Sequence, residues 1–297
     1  MGLKIKDISS LNTGRQVYNS YFEQILDTSD EWISSRTGIK SRFFTDELPS
    51  EMAVRLARQL DFDADKIKML IVSSFTGDLI LPSIAGRVHA RLEIPDNCFC
   101  MDINSACAGF LASMILAEKF LNDGEQALLI ATEKTSSCLD FKDRGTAILF
   151  GDGCGGMIVE KNNKMWFSDE NTYDDKGSLL MSKGEFLKMQ GQRVFKFACS
   201  RVPESIERVL NKAGLSIDDV DYLASHQAND RILEAIVKRI HIDSSRVLKN
   251  VENRGNTSAA SIPILMDEYK HIFKEGDRIL FTAFGAGLAV NSILMEW

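Results

Sequence analysis

Segments of aliphatic and β-branched residues alternate along the whole chain with segments whose apolar residues recur at helical spacing. The run at residues 66–73 is of the first kind and predicts a buried strand. Leu111, Met114, Ile115 and Phe120 are of the second kind, because they fall on one face of a helix. This alternation favours an α/β protein built in layers.

Two pairs of segments echo each other at nearly the same spacing. Residues 124–130 resemble residues 276–281 at an offset of 152 positions, and residues 66–73 resemble residues 219–226 at an offset of 153. Two echoes at one spacing indicate an internal duplication. The alternative is that the similarity arises by chance, because any two α/β segments alternate strands and helices at similar spacing.

Between these markers each half carries a predicted strand, turn and helix. They occupy residues 99–121 and residues 251–273, and Asn104 and Asn256 stand at matching places within them. The two halves are therefore expected to place their turns in equivalent positions.

Composition narrows the possible classes of protein. A chain of 297 residues is long enough for two domains, and 42 acidic against 35 basic side chains give a formal charge of -7. This charge argues against a surface built to bind nucleic acid. The apolar stretch at residues 279–295 is broken by glycines and falls short of a membrane helix, and the N-terminus lacks a secretory signal. We expect a cytoplasmic protein with neither a nucleic-acid partner nor a membrane association.

One of the six cysteines has a distinctive neighbourhood. None of the six stands in a C-x-x-C pair, so no metal site is expected. Cys107 lies where an apolar run ends and a helical pattern begins. The free N–H groups and dipole of a helix start stabilise a thiolate, which would lower the pKa of Cys107 and make it a nucleophile. A buried structural cysteine would give the same pattern, and both interpretations are open at this point.

Two further polar residues are candidate partners for this cysteine. His226 follows the predicted strand at residues 221–225, at the strand end where α/β proteins place their chemistry. Asn256 follows Gly255, whose freedom of backbone permits a tight turn. A buried histidine bonded to the backbone and an N-cap asparagine are the alternatives. Neutral N–H donors from both side chains suit a reaction in which negative charge develops on a thioester oxygen.

Seven short stretches occur in a fixed order along the chain. They are DTSDEWI at 27–33, RTGI at 36–39, ACAGF at 106–110, DRGT at 143–146 leading into FGDG at 150–153, HQAN at 226–229, GNTSAAS at 255–261 and AFG at 283–285. In these stretches, and over nearly its full length, the chain resembles the β-ketoacyl-acyl-carrier-protein synthases III, which are thiolase-like condensing enzymes.

The resemblance implies a thiolase-like α/β fold with duplicated αβαβα layered halves. The N-terminal half, at residues 1–165, would carry the nucleophilic Cys107. The C-terminal half, at residues 166–297, would carry His226 and Asn256. The resemblance also implies a homodimer and a reaction that needs no metal and no other cofactor.

The implied reaction is a decarboxylative Claisen condensation that initiates fatty-acid synthesis. Cys107 would take an acyl group from acyl-coenzyme A, and malonyl-acyl-carrier protein would lose CO2 to give a carbanion that attacks the acyl-cysteine. His226 and Asn256 would donate hydrogen bonds to the malonyl thioester oxygen as charge develops on it. The backbone N–H groups of Cys107 and Ala286 would form an oxyanion hole for acyl transfer.

The resemblance also implies substrate-binding residues. Trp32 would stack on the adenine of coenzyme A, and Arg36 and Arg144 would engage the nucleotide. The pantetheine tunnel would be lined by Thr28, Gly191 and Asn229. The acyl pocket would be shaped by Phe150 and by Leu81, which in some relatives comes from the partner subunit.

A basic patch for the acidic acyl carrier protein is implied near the tunnel mouth. Arg231, Lys238 and Arg239 share one face of a predicted helix, and Lys196 matches another basic position of the family. A solvated helix face is the alternative interpretation of these residues.

Other functions are weighed against this one. A relative in secondary metabolism that condenses or merely transfers acyl groups is an alternative, as is a non-catalytic acyl-binding relative. The chain departs from the family pattern near its N-terminus and in the glycine loop at residues 285–290. Thiolases are disfavoured because no cysteine follows Cys199, and Cys-His-His synthases because the third position is Asn256.

Overall fold

Two mixed β-sheets organise the fold, which a computed structural model describes for residues 1–174, 177, 179–181 and 184–297. The strands are β1 Gly2–Ser10, β2 Arg15–Tyr18, β3 Ser41–Phe44, β4 Ile67–Ser73, β5 Phe99–Ile103, β6 Gln126–Glu133, β7 Gly153–Asn162, β8 Trp166–Thr172, β9 Leu179–Leu180, β10 Lys188–Met189, β11 Tyr222–Ser225, β12 Arg278–Gly285 and β13 Ala289–Glu296. The first sheet has the order β1-β7-β6-β4-β5 and the second the order β11-β12-β13-β8. Two small antiparallel two-stranded sheets, β2 with β3 and β9 with β10, lie outside these sheets.

Helices and short 3-10 turns connect the strands. The helices are α1 Asn19–Glu23, α2 Asp30–Thr37, α3 Pro49–Ala57, α4 Ile84–His89, α5 Gly109–Phe120, α6 Arg144–Ala147, α7 Gly191–Ala213, α8 Asp230–Ile240, α9 Val251–Arg254 and α10 Ser261–Tyr269. The 3-10 turns are Ala64–Lys66, Ala106–Ala108, Thr135–Cys138, Ile217–Asp219, Ser244–Arg246, Ser258–Ala260 and Ala286–Leu288. Within the described ranges, no helix combines the length and apolar character needed to cross a membrane.

The two sheets repeat one topology. The run β1-β7-β6-β4 and the run β8-β13-β12-β11 both consist of two antiparallel pairings followed by a parallel one. Strands β6 and β12 begin 152 positions apart, at Gln126 and Arg278, which is the spacing of the sequence echo. Strand β5 extends the first sheet, whereas the second sheet has only a bridge between Leu223 and Val247 at that place. The predicted duplication is confirmed.

Helices α5 and α10 lie between the two sheets. Phe110 of α5 and Ile262 of α10 belong to one buried cluster with Leu129 of β6 and Phe281 of β12. Helices α3 and α4 cover the outer face of the first sheet, and α7 and α8 cover the outer face of the second. The layers therefore follow the order αβαβα, which confirms the predicted fold class.

Strand β4 carries four consecutive apolar residues, at positions 69–72. Ile71 belongs to the central cluster with α5, whereas its neighbour Val72 belongs to the outer cluster with α3 and α4. Because successive side chains point to opposite faces and both faces are covered by helices, all four of these positions are buried.

The predicted boundary between residues 165 and 166 falls between β7 and β8, which belong to different sheets. Helix α10 crosses this division, because it packs against β1 and β7 of the first sheet. The division of the chain into residues 1–165 and 166–297 stays a prediction, since one core runs through both parts.

One predicted strand is a helix. Residues 251–254 form α9, although the sequence echo predicted a strand at the start of residues 251–273. The Gln227 side chain explains the difference, because its Oε1 accepts the N–H groups of Asn250 and Val251 at 3.0 and 3.2 Å. These are among the N–H groups that a helix start leaves without a backbone partner.

Candidate active site

Cys107, His226 and Asn256 line one cavity of about 490 Å³. Each comes from a different segment: Cys107 from the 3-10 turn between β5 and α5, His226 from the residue after β11, and Asn256 from the residues between α9 and the turn Ser258–Ala260. All three are buried, with 6%, 1% and 6% of their surface exposed. The structure thus brings together the three residues that the sequence singled out for chemistry.

Two equivalent turns hold Cys107 and Asn256 in place. Ala106 and Ser258, 152 positions apart, both adopt left-handed backbone conformations, with φ of 45° and 52°. In each turn an asparagine two residues earlier accepts the strained residue's N–H: Asn104 at 3.2 Å and Asn256 at 2.9 Å. The turns pack against each other. These hydrogen bonds offset a strain of roughly 1–3 kcal/mol per residue.

Strand β12 ends in close contact with the Cys107 turn. A Cβ at Gly285 would lie 2.9 Å from the Cys107 backbone N, 3.0 Å from that of Ala108 and 3.1 Å from the Ser105 carbonyl oxygen. All three atoms are backbone atoms, so only glycine fits unless the turn moves. Because of this approach the next residue, Ala286, shares a cavity wall with Cys107.

Burial determines the charge of His226. It lowers the pKa of the imidazole to about 3, so the ring is neutral at pH 7. Nδ1 lies 2.7 Å from the Ser261 Oγ, and this oxygen also accepts the Gln227 N–H at 3.4 Å. We assign the Ser261 hydroxyl as the donor and Nδ1 as the acceptor of this hydrogen bond. The proton of the neutral imidazole ring is then on Nε2. The ring packs edge-on against Phe284, with centroids 5.4 Å apart.

The Asn256 side chain is held so that its NH2 group is left to donate. Its backbone N–H bonds the Leu149 carbonyl at 2.9 Å, and its carbonyl accepts the Gly151 N–H at 3.0 Å. Its Oδ1 accepts the Ser258 N–H, which leaves Nδ2 as the donor. His226 and Asn256 are therefore both neutral hydrogen-bond donors on one cavity.

The thiol of Cys107 is not acidified. Burial raises its pKa to about 12; the neighbouring Glu133 adds to this, while hydrogen bonds with Ser258 and the backbone act in the opposite direction. The predicted lowering of this pKa by a helix start is wrong. Helix α5 begins only at Gly109, and the loss of water around the thiol outweighs the effect of the helix end.

Three of the six residues predicted to bind coenzyme A border the cavity, whereas Thr28, Trp32 and Arg144 are not among its lining residues. Arg36, Gly191 and Asn229 line it. The guanidinium carbons of Arg36 and Arg144 lie 6.0 and 4.4 Å from the ring centroid of Trp32. The ring of the half-buried Trp32 therefore lies beside two positively charged groups.

Thr28 and Asn229, both predicted to line a pantetheine tunnel, each have a side-chain polar group that is left without a partner or free to donate. The Thr28 hydroxyl is buried and has no hydrogen-bond partner within the described part of the chain. The Asn229 Oδ1 caps α8 by accepting the Ile232 N–H at 3.0 Å, which leaves its NH2 group as a donor.

A second cavity, of about 270 Å³, lies beside Cys107. It is lined by Phe75, Asn104, Ala106, Cys107, Phe150, Met181, Leu187 and Ala286. Phe150 lines both cavities. Leu81 does not reach either one in the single chain, where 82% of it is exposed. The sequence analysis missed Phe75, Met181 and Leu187, because they come from separate segments that share no motif.

The predicted docking residues fall in two places. Lys196 of α7 and Arg231 of α8 line the large cavity. Lys238 and Arg239 lie in the last turn of α8, about 10 Å further along the helix axis at 1.5 Å per residue. Arg239 also donates to the Cys199 carbonyl at 3.1 Å. Only the first pair borders the cavity.

Three polar side chains near the site were not singled out from the sequence: Glu133, Ser258 and Ser261. The two serines belong to the GNTSAAS stretch, so the motif contained a signal for them. Glu133 ends a buried strand and belongs to no motif. Among the described residues, no group of three His, Cys, Asp or Glu side chains is placed to hold a metal ion.

The αβαβα layers, with a cysteine, a neutral histidine and an asparagine converging at the junction of two duplicated halves, define a thiolase-like condensing enzyme. Family models agree: 3-oxoacyl-[acyl-carrier-protein] synthase III matches residues 101–175, and the C-terminal part of that family matches residues 210–297. The chain belongs to the 3-oxoacyl-[acyl-carrier-protein] synthase III family, whose members are acyltransferases.

Individual relatives match over the full length. The β-ketoacyl-[acyl-carrier-protein] synthase III of Acholeplasma laidlawii is 38% identical over 99% of this chain and 100% of its own. The crystal structure of the Aquifex aeolicus 3-oxoacyl-[acyl-carrier-protein] synthase III superposes with a TM-score of 0.94 at 33% identity, covering 100% of both chains. The priming β-ketosynthase of the R1128 polyketide pathway has a TM-score of 0.91 at 28% identity, covering 99% of this chain and 96% of its own.

We expect Gly285→Ala to destabilise the protein by about 1–3 kcal/mol, because the new methyl group overlaps backbone atoms of the Cys107 turn. Thermal unfolding measures the change. Gly77→Ala is the control, since a Cβ there would meet Ile84 Cδ1 at an ordinary 3.6 Å. Equal melting temperatures for the two variants would contradict the close-approach argument.

Proposed function

We propose that the protein condenses an acyl-coenzyme A primer with malonyl-acyl-carrier protein by a decarboxylative Claisen reaction, the initiating step of fatty-acid synthesis. The family membership and the names of the full-length relatives support this reaction. The observation that carries it is the convergence of Cys107 with two neutral donors, His226 and Asn256, on one cavity.

In the first half-reaction the Cys107 Sγ attacks the thioester carbonyl of the acyl-coenzyme A, and coenzyme A leaves. Negative charge develops on the carbonyl oxygen during the attack. The backbone N–H groups of Cys107 and Ala286 would stabilise that oxygen, each donor contributing on the order of 2.7–4 kcal/mol. The 270 Å³ cavity, with Phe150 in its wall, would hold the acyl chain.

In the second half-reaction malonyl-acyl-carrier protein binds and loses CO2. The electron pair of the breaking C–C bond moves toward the thioester oxygen, where His226 Nε2–H and Asn256 Nδ2–H would donate hydrogen bonds. Neutral donors suit this step, because they stabilise the enolate without protonating it. The carbanion then attacks the acyl group on Cys107 and releases the thiolate.

Substrate binding follows from the residues around the large cavity. Trp32 would stack on the adenine ring while Arg36 and Arg144 engage the nucleotide. The pantetheine arm would pass Thr28, whose buried hydroxyl lacks a partner in the described part of the chain, and the free NH2 group of Asn229. Gly191 would keep the passage open. A side chain at this position would project into empty space, because the nearest atom to its Cβ would be Met189 Cε, at 4.0 Å.

The acyl carrier protein is proposed to dock near the cavity mouth. Lys196 and Arg231 border the opening and would contact its acidic surface, with Lys238 and Arg239 as a second contact further along α8. The neighbouring Asp230 carboxylate is paired with Lys249 at 2.6 Å, which reduces its repulsion of an acidic partner.

The protein is proposed to be a cytoplasmic homodimer that needs no metal or other cofactor, because its own side chains complete the chemistry. The sheet edge at β5 supports a dimer. Phe99 of β5 stacks on Phe120 of α5 with centroids 5.4 Å apart, although each is 49% exposed. The exposed Leu81 would then reach an acyl pocket of the partner subunit.

A condensing enzyme or acyltransferase of secondary metabolism is the second candidate. The similarity to the R1128 priming β-ketosynthase, at 28% identity, is the observation that favours it. The two candidates share the acyl-cysteine and differ in what accepts the acyl group. A non-catalytic acyl-binding relative would leave all three site residues unused.

We expect Cys107→Ala to abolish acyl uptake, and Asn256→Ala to retain acyl uptake while suppressing malonyl decarboxylation. Cys107 supplies the nucleophile, whereas Asn256 acts on the enolate alone. The protein is incubated with a panel of acyl-coenzymes A, the adduct is mapped by mass spectrometry, and malonyl-acyl-carrier protein is then added to measure CO2 and ketoacyl product.

Each outcome of this assay separates the candidates. An adduct at Cys107 followed by ketoacyl product supports the proposed condensation. An adduct without condensation favours the transferase. Absence of an adduct with every donor would refute the enzyme, and loss of uptake in a folded Asn256→Ala variant would refute the role given to Asn256.

We expect Ser261→Ala to slow malonyl decarboxylation by roughly fivefold, the value of one net hydrogen bond of about 1 kcal/mol, while Cys107 acylation continues. The variant removes the donor that keeps the His226 proton on Nε2. Ser113→Ala is the matched control, since its buried hydroxyl bonds the Ser73 hydroxyl at 2.7 Å and the Gly109 carbonyl at 3.0 Å rather than His226. Equal decarboxylation rates in the two variants would show that Ser261 does not orient His226.

A further inference from the structure

A buried carboxyl group joins two segments that border the site. Glu133, the last residue of β6, is 0% exposed. Its Oε2 accepts hydrogen bonds from the Thr76 hydroxyl at 2.6 Å and from the Ser74 hydroxyl and the Phe75 N–H at 3.3 Å each. Its Oε1 accepts one from the Ser258 hydroxyl, at 3.1 Å. All four donors are uncharged, so hydrogen bonds rather than ion pairs join Glu133 to the two segments.

The first of these segments, residues 74–83 between β4 and α4, has little apolar cover. Three of its side chains are exposed, by 48, 72 and 82%: Leu79, Ile80 and Leu81. Pairing with β5 ends at the bond from the Ser74 N–H to the Ile103 carbonyl, at 3.1 Å. Beyond that bond two carboxyl groups hold the segment. Glu133 bonds its start, and Asp78 accepts the N–H and hydroxyl of Ser50 at 3.0 and 2.8 Å.

Phe75 is the residue that this anchor places in the 270 Å³ cavity. Its half-buried ring lines the cavity with Cys107 and Phe150, and it packs against the buried cluster that contains Phe150. Phe150 is fixed by backbone pairing with Asn256. The Phe75 N–H instead bonds Glu133, and the hydroxyls of the residues on both sides of Phe75 bond the same carboxyl group. Glu133 therefore sets the position of one wall of the cavity.

The arrangement of donors suits a carboxylate and not an amide. An ionised carboxyl group accepts hydrogen bonds at both oxygens and donates none. The Thr76 hydroxyl accepts the Lys134 N–H at 2.8 Å, which leaves its own proton for Glu133. Burial raises the pKa of Glu133 to about 7, so the group is ionised in most molecules at about pH 8. A glutamine here would offer one acceptor oxygen, and its NH2 group would face further donors.

We propose that Glu133 is a positioning residue that limits the length of the acyl chain, because it holds Phe75 in the wall of the acyl cavity. The inference rests on the proposed acylation of Cys107 and on the 270 Å³ cavity as the acyl site. While Phe75 is held, a chain that needs the space of its ring is excluded. When the hydrogen bonds to Glu133 are lost, the segment that carries Phe75 can shift, and a longer chain enters.

A competition between acyl chains tests this proposal. The protein is incubated at about pH 8 with an equimolar mixture of straight-chain acyl-coenzymes A of increasing length, and the adducts on Cys107 are quantified by mass spectrometry. The ratio of longer to shorter adducts measures specificity and does not depend on the fraction of the protein that is folded. We expect Phe75→Ala and Glu133→Gln each to shift this ratio toward longer chains by roughly tenfold, the discrimination that an apolar pocket achieves per methylene.

Two threonine variants and a double variant complete the test. Thr76→Val removes the hydroxyl that donates to Glu133 at 2.6 Å and should shift the ratio in the same direction; it also serves if Glu133→Gln does not fold. Thr132→Val is its matched control, because this buried hydroxyl bonds the Pro49 carbonyl at 3.0 Å and neither residue lines the cavity. In a Phe75→Ala background Glu133→Gln should add nothing, since the ring through which it acts is absent.

The outcomes distinguish this inference from the proposed function. A wild-type adduct ratio in Phe75→Ala, or in Glu133→Gln and Thr76→Val, overturns the inference while acylation itself stands. The inference also fails if Glu133→Gln shifts the ratio equally with and without the Phe75 ring, because Glu133 would then act by another route. Absence of a Cys107 adduct in the wild-type protein with every chain would instead refute the proposed function.

Discussion

The contact between the end of β12 and the Cys107 turn is the constraint on which the site depends. Gly285 brings one half of the duplicated fold to within van der Waals distance of backbone atoms in the other. Two left-handed turns, at Ala106 and Ser258, meet at the same junction. A cavity formed in this way has rigid backbone on two sides, so side chains from separate halves can be aligned without a mobile loop.

Exclusion of water at this junction sets the charge states of His226, Cys107 and Glu133. The same burial that makes His226 neutral at pH 7 also keeps the Cys107 thiol protonated and raises the pKa of Glu133 toward neutrality. Such a site offers aligned neutral dipoles, rather than standing ions, to a charge that develops in it. Two serines hold two of these groups in place: Ser258 Oγ donates to the Glu133 carboxyl group at 3.1 Å, and Ser261 Oγ bonds His226 Nδ1 at 2.7 Å.

Much of this arrangement could be predicted from local sequence. The repeat at 152 positions predicted matching turns, and both are present with an asparagine before each. The pKa of Cys107 could not be predicted, because it depends on how many layers of protein surround the thiol. The helix at residues 251–254 could not either, because its first N–H groups bond a glutamine that lies 23 and 24 positions away in sequence. Glu133 carries no local pattern and is visible only through its three-dimensional neighbours.

The duplication is incomplete at one place, where β5 has no full counterpart in the second sheet. Strands β1 and β8, at the opposite edges of the two sheets, contact each other within the chain. Only the first half therefore has an edge strand equivalent to β5. Two chains that pair through this strand would form an isologous dimer, to which no third chain could add in the same way. A perfectly symmetric repeat would have offered two such edges, which is the geometry of a growing filament. In a dimer paired through β5, the imperfect duplication would leave no second edge of this kind for a third chain.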